Sequence, residues 1–151
     1  MADYEKMSDR ELDAAVAEKV MGWRWVQAPQ YDYDGPLPEQ GKVLVPPDHD
    51  DKNYQWQPKG VIQPYAFVGG MRWSTDIAAA WEVVDRVLDL AFSCFGGMTG
   101  VNLLYNPYES RWEASFDWSD STCVNGWHEK PARAICLAAL AAVEAKENTN
   151  G

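Results

Sequence analysis

RWEASFDW, residues 111–118, is the stretch that decides the fold. Trp112, Ala114, Phe116 and Trp118 alternate with Arg111, Glu113, Ser115 and Asp117. A period of two belongs to a β-strand, whose successive side chains leave on opposite faces. One face is apolar and the other polar. The pattern therefore predicts an antiparallel sheet packed on one side and wetted on the other. Upstream, Val101, Leu103 and Tyr105 share a face of a second strand over residues 101–106. Asn106, Pro107 and Tyr108 supply the turn between the two. A third strand is expected over residues 90–95, ahead of Gly96, Gly97 and Gly100. Residues 119–130 read as polar loop.

Helical periodicity flanks these strands. Residues 74–88, STDIAAAWEVVDRVL, predict an amphipathic helix with Ser74 as N-cap and Asp76 in its first turn. Its expected buried stripe is Ile77, Ala80, Trp81, Val84 and Leu88, with Glu82 and Arg86 paired on the exposed side. A first helix is expected over residues 9–21. Ser8 and Glu11 form its capping box, Leu12, Ala15, Val16 and Val20 its buried stripe, and Gly22 its stop. Pro131 opens a last helix to about Lys146. Its run AICLAALAAV, residues 134–143, is apolar on nearly all sides and predicts deep packing, with a frayed tail beyond. Short strands are expected at Trp23 to Trp25 and at residues 42–45. An edge strand interrupted by Pro64 is expected over residues 61–68. Strands running beside helices, with no repeat, make this an α+β chain.

A chain of 151 residues with 46% hydrophobic content is expected to fold as one domain, residues 1–151. Residues 27–60 stand apart as an irregular, Pro- and aromatic-rich insertion. The net charge is -10, and residues 1–50 hold 11 acids against 5 bases. That balance argues against direct nucleic-acid binding, which needs lysine and arginine on phosphates. It suits solubility, or a negative face for a basic partner. Cys94, Cys123 and Cys136 form no CxxC pair, which points to a reducing compartment. No signal core and no membrane-length apolar run is present, so a cytoplasmic protein is expected.

Two constellations are candidates for binding. Gly69, Gly70, Met71, Arg72, Trp73, Ser74 and Thr75 join a strand to a helix start, where backbone N–H groups, Arg72 and hydroxyls could hold an anion. The bland alternative is a capped helix after a tight turn. Trp25, Tyr31, Tyr33, Tyr54 and Trp56 could line an aromatic surface for a base or a partner. Their bland alternative is to pin the insertion onto the domain. No metal site is expected. Adjacent side chains of Asp48, His49, Asp50 and Asp51 rarely converge on one ion, and Cys123 with His128 falls short of a zinc set. No catalytic residue and no cofactor is assigned, since no nucleophile-and-base motif appears.

Three blocks resemble a known family. They are ELDAAVAEKVMGW (residues 11–23), STDIAAAWEVV (residues 74–84) and ARAICLAALAAV (residues 132–143). Together and in this order they look like the phage ABA (α-β-α) sandwich domain, with a more distant likeness to phage NinX-type proteins. Residues 27–60 are largely uncovered. The resemblance implies a small three-layer α-β-α sandwich with a mostly antiparallel sheet and three helices, and a phage or prophage source. It carries no activity onto residues. The resulting expectation is a phage accessory protein acting by binding in the cytoplasm of an infected or lysogenic host. Counter-defence leads, either by sequestering a nucleotide-derived immune signal or by blocking a host defence protein. An acidic nucleic-acid mimic, a structural or housekeeping role, and a small hydrolase are the alternatives. Homo-oligomerisation is left open.

Overall fold

In the computed structural model, which describes residues 3–27, 42–45, 47, 72–90, 98–118 and 123–150, the last helix organises everything else. The chain enters through a short 3-10 turn, Tyr4–Lys6, and then α1, Asp9–Lys19. The Glu11 N–H donates to Ser8 Oγ at 3.2 Å, half of the expected capping box. Gly22, at φ 76°, ends the helical region. Around it the Trp23 N–H donates back to Ala17 O at 2.8 Å, closing the last turn. β1, Arg24–Gln27, and β2, Lys42–Val45, fall where short strands are expected, and they pair as a two-stranded antiparallel ribbon. α2, Ile77–Leu90, leads to a meander of β3, Met98–Asn106, β4, Arg111–Trp118, and β5, Cys123–His128. α3, Pro131–Asn150, closes the chain. The α+β class, the three helices and the antiparallel sheet are as expected.

The pairing register sets the faces of the sheet. Val101, Leu103 and Tyr105 stand opposite Phe116, Ala114 and Trp112. Across β4, the same three residues face Val124, Gly126 and His128. This is the core face, where Ala114, Phe116 and Trp118 are buried. The predicted alternation holds for Ala114, Phe116 and Trp118 against Asp117, whereas Ser115, expected on the wet face, is buried and Trp112 is half-buried.

α3 packs against β4 and β5 on one side and against α2 and α1 on the others. Residues 132–140, with Ala142 and Val143, are all buried, which is why no polar face was visible in this helix. Among the described residues the three layers run from the sheet, through α3, to α1 with α2. Tyr4 ties the entry to this frame, its buried ring leading a hydroxyl that donates to Glu144 Oε1 at 2.5 Å.

Several local expectations need correction. The buried residues of α2 are Ala80, Val83, Val84 and Val87, whereas Ile77 and Trp81 are 40% and 47% exposed. Ala80 and the valines pack toward the alanine-rich α3, and the bulkier Ile77 and Trp81 are left at the margin. The cap of α2 is Asp76, whose Oδ1 accepts from the Ala78 and Ala79 N–H groups at 2.9 and 3.4 Å. Ser74 lies before the helix and is buried. Arg86 turns from Glu82 to the end of α1, donating to Val20 O at 3.2 Å. Leu90 closes α2 instead of opening a strand, and residues 91–97 lie outside the described residues. β5 appears where polar loop was expected, because its outward residues Cys123 and Asn125 hid the alternation. The backbone of α3 stays helical to Asn150, since no proline or glycine interrupts it before Gly151. The strand expected over residues 61–68 lies outside the described residues.

The tightest contact is backbone on backbone. A Cβ added to Gly126 would stand 2.3 Å from Ala134 O and 2.4 Å from Ala138 N. Neither group can yield without moving α3 off β5. Gly126→Ala is expected to cost about 3 kcal/mol or more in denaturant unfolding. Gly100→Ala, whose Cβ would meet only Asp117 Oδ2 at 3.8 Å, should stay within about 1 kcal/mol of the native protein. Equal losses in the two variants contradict this packing.

Candidate binding surface

The turn before α2 is built from alternate inward and outward residues. Trp73 and Ser74 are buried, while Arg72 and Thr75 are exposed. The Trp73 ring meets Trp23 edge-on at 5.6 Å, and its Nε1 donates to Glu82 Oε2 at 3.4 Å. The Ser74 N–H donates to Asp13 Oδ1 at 2.8 Å, and Ser74 Oγ donates to Asp9 O at 3.2 Å. The Thr75 and Asp76 N–H groups both donate to Arg72 O, at 3.2 and 2.8 Å. With Asp76 capping Ala78 and Ala79, the amides of Ser74, Thr75, Asp76, Ala78 and Ala79 all have acceptors within the protein. Gly69, Gly70 and Met71, the other members of the expected anion site, lie outside the described residues.

A buried polar cluster fixes that turn from below. Arg133, in the first turn of α3, is only 5% exposed. Its Nη1 pairs with Asp9 Oδ1 at 2.8 Å, and its Nη2 donates to Glu5 O at 3.3 Å and Met7 O at 2.5 Å. One guanidinium thus holds the whole approach to α1. Asp13, also buried, carries the turn at Ser74. Burial raises its carboxyl above the ordinary 3.8, against the hydrogen bonds from Ser74, with Asp9 adding to the rise and Arg133 opposing it. Nearby, burial and then Arg133 push His128 below the usual imidazole range, consistent with its Nδ1 accepting from the Lys130 N–H at 3.0 Å. The sequence held a signal for this cluster. Arg133 is a lone charge among Ala132, Ala134 and Ile135, and Asp13 adjoins Leu12 on the buried stripe.

Of the aromatic candidates, Trp25 is 38% exposed on β1, directly opposite the buried Leu44. It overlies the edge of the core. Tyr31, Tyr33, Tyr54 and Trp56 lie outside the described residues. The outward surface that sequence reasoning missed is on α2, where Ile77 and Trp81 stand beside Glu82, Asp85 and Asp89. A second exposed group lies at the β3–β4 hairpin. Leu104, Tyr105, Asn106, Pro107, Tyr108 and Glu113 line an open hollow of about 330 Å³. Asn106 Oδ1 fixes this tip by accepting from the Tyr108 and Glu109 N–H groups at 2.9 and 3.3 Å.

Cys123 and His128 do not converge. The first stands opposite Asp117 on the outer face and the second opposite Trp112 on the core face. The Cys123 thiol is pushed up to about 11, first by its hydrogen bond with Asp117, and so stays protonated. Among the described residues no three His, Cys, Asp or Glu side chains gather in a metal-binding group. No helix among them is long and apolar enough to cross a membrane.

The sequence model of the phage ABA sandwich domain matches residues 14–140. The chain therefore belongs to that family and is a phage protein, as its three sequence blocks imply. No curated protein and no solved structure matches it.

The Asp13–Ser74 contact sets a pH dependence. The native carboxyl binds its proton more tightly than the unfolded chain does. Its contribution is therefore full below the unfolded value of 3.8 and is lost as pH rises through the raised native value. Asp13→Asn keeps an acceptor for the Ser74 N–H and removes the charge. Denaturant unfolding should show wild type losing stability relative to Asp13→Asn over that window. Asp13→Ala, which leaves the Ser74 N–H without an acceptor, should lose about 1–3 kcal/mol at neutral pH. A pH-independent difference between wild type and Asp13→Asn contradicts the assignment.

Proposed function

We propose that this member of the phage ABA sandwich family is an accessory protein that acts by binding rather than turnover. It counters host defence by capping a basic surface on a host defence protein, in the cytoplasm of the infected cell. The observation that carries this reading is the state of the amides at the head of α2. Anion capture at a helix start needs unpaired N–H groups. Here those of Ser74, Thr75, Asp76, Ala78 and Ala79 are already taken, two of the acceptors being the carboxylates of Asp13 and Asp76. A phosphate placed there would lose those donors and meet negative charge. This turns the choice between a nucleotide-derived signal and a protein partner toward the protein.

Charge supports the same choice. At net -10 the chain repels nucleotides and nucleic acids at long range and attracts basic proteins. A nucleic-acid mimic is the special case in which the basic surface is a host protein's DNA or RNA groove. In this reading Arg72, Thr75 and the exposed part of Trp25 contribute to the binding surface, and Tyr31, Tyr33, Tyr54 and Trp56 remain its aromatic candidates. Trp73 and Ser74 support the turn from within.

Two measurements test the reading together. Hosts carrying single defence systems are challenged with phage that lack or retain the gene. The retained gene should restore plaques against one system, through a complex with one of its proteins that weakens as salt rises. Thermal unfolding against a panel of cyclic nucleotides should show no stabilisation. A clear upward shift with one nucleotide would replace this reading by signal sequestration.

A further inference from the structure

The outer face of α2 has two unlike halves lying side by side. At 100° per residue, Ile77, Trp81 and Leu88 fall within about 40° of one another around the helix. They form a seam along the margin of the buried face. Ile77 and Trp81 are 40% and 47% exposed, and Leu88 is half-buried. The next sector holds Glu82, Asp85 and Asp89, all exposed. Glu82 is held in place by the Trp73 indole. A half-exposed tryptophan beside an isoleucine, rimmed by carboxylates, has the composition of an interface hot spot with a charged border.

We infer that this face of α2 is the docking site for a basic amphipathic segment of the partner protein. Its apolar residues cover Ile77 and Trp81, and its lysines or arginines meet Glu82, Asp85 and Asp89. This rests on the protein-capping reading above and names the surface that performs it. Charge complementarity selects the occupant. A second copy of the chain would bring like carboxylate rows together, on molecules that each carry -10. An acidic segment or a nucleic acid meets the same repulsion. A basic segment gains contact area from Trp81 and long-range attraction from the acids.

The test titrates the full-length protein with a synthetic leucine–lysine amphipathic peptide and with its leucine–glutamate counterpart. The lysine peptide should bind, and the glutamate peptide should not. Trp81→Ala should weaken binding about tenfold or more. Asp85→Lys combined with Asp89→Lys should weaken it further and remove its salt dependence. Both sites are exposed, so circular dichroism should match the native protein. Tyr108→Ala, at the 97% exposed tip of the β3–β4 hairpin, should bind as wild type. Unchanged affinity in Trp81→Ala, equal loss in Tyr108→Ala, or dimerisation through this face overturns the proposal. The two readings separate in the phage assay. Peptide binding lost with protection retained places counter-defence on another surface and sinks the docking role. Peptide binding retained in a protein that never protects sinks the counter-defence reading and leaves the surface standing.

Discussion

The approach of α3 to β5 at Gly126 is the constraint on which the rest depends. Helix and strand meet there with no side chain between them on the strand side, against the backbone of Ala134 and Ala138 and the Cβ of Leu137 on the helix side. That closeness brings the remaining faces of α3 within reach of α1 and α2. A helix so enclosed can carry almost no polar group, and the one charge in its first turn, Arg133, has to be satisfied inside. The need for small residues at one contact thus propagates into the composition of a whole helix. On α2 the buried residues are Ala80, Val83, Val84 and Val87, with Leu88 and Leu90 packed partly against the core.

Arg133 and Asp13 convert that packing into a rigid platform. The guanidinium gathers Asp9 and the carbonyls of Glu5 and Met7, while Asp13 holds the backbone of Ser74. Three segments far apart in sequence are locked together by few polar contacts: the entry, the turn before α2 and the start of α3. Groups removed from water make these contacts geometrically demanding, so they fix the turn. The consequence for function is specific. A turn that looks open to a ligand in sequence has the amides of Ser74, Thr75, Asp76, Ala78 and Ala79 closed by its own protein. What it presents outward is Arg72, Thr75 and then the exposed margin of α2.

The sequence carried most of the frame. Strand alternation in β4, the cap at Ser8, the proline at the start of α3 and the all-round apolarity of that helix each have a local cause, and each is legible. The orientation of α2 was not. Its apolar residues cover more than half its circumference, so the pattern admits several stripes. The choice is made by packing against α3, a tertiary fact. The cap at Asp76 was misplaced for a related reason. Ser74 and Asp76 both have cap chemistry, and Ser74 was claimed by Asp13, 61 residues away in the chain. β5 was hidden because a wet outer face made its residues look like loop. Of the candidate site, Arg72 and Thr75 face outward, Trp25 overlies the edge of the core and stays partly exposed, and Trp73 and Ser74 face in. The exposed margin of α2 is hidden in sequence, because Trp81 fits the apolar stripe as well as its true neighbours do.

The central claim is that the turn before α2 is part of the folded frame and not an anion site. Native-state hydrogen exchange of the Ser74 amide tests it most directly. This amide should exchange as slowly as the buried amides of α3, through global unfolding, and inorganic phosphate should leave its protection unchanged. Fast local exchange at Ser74, slowed by phosphate, would contradict it.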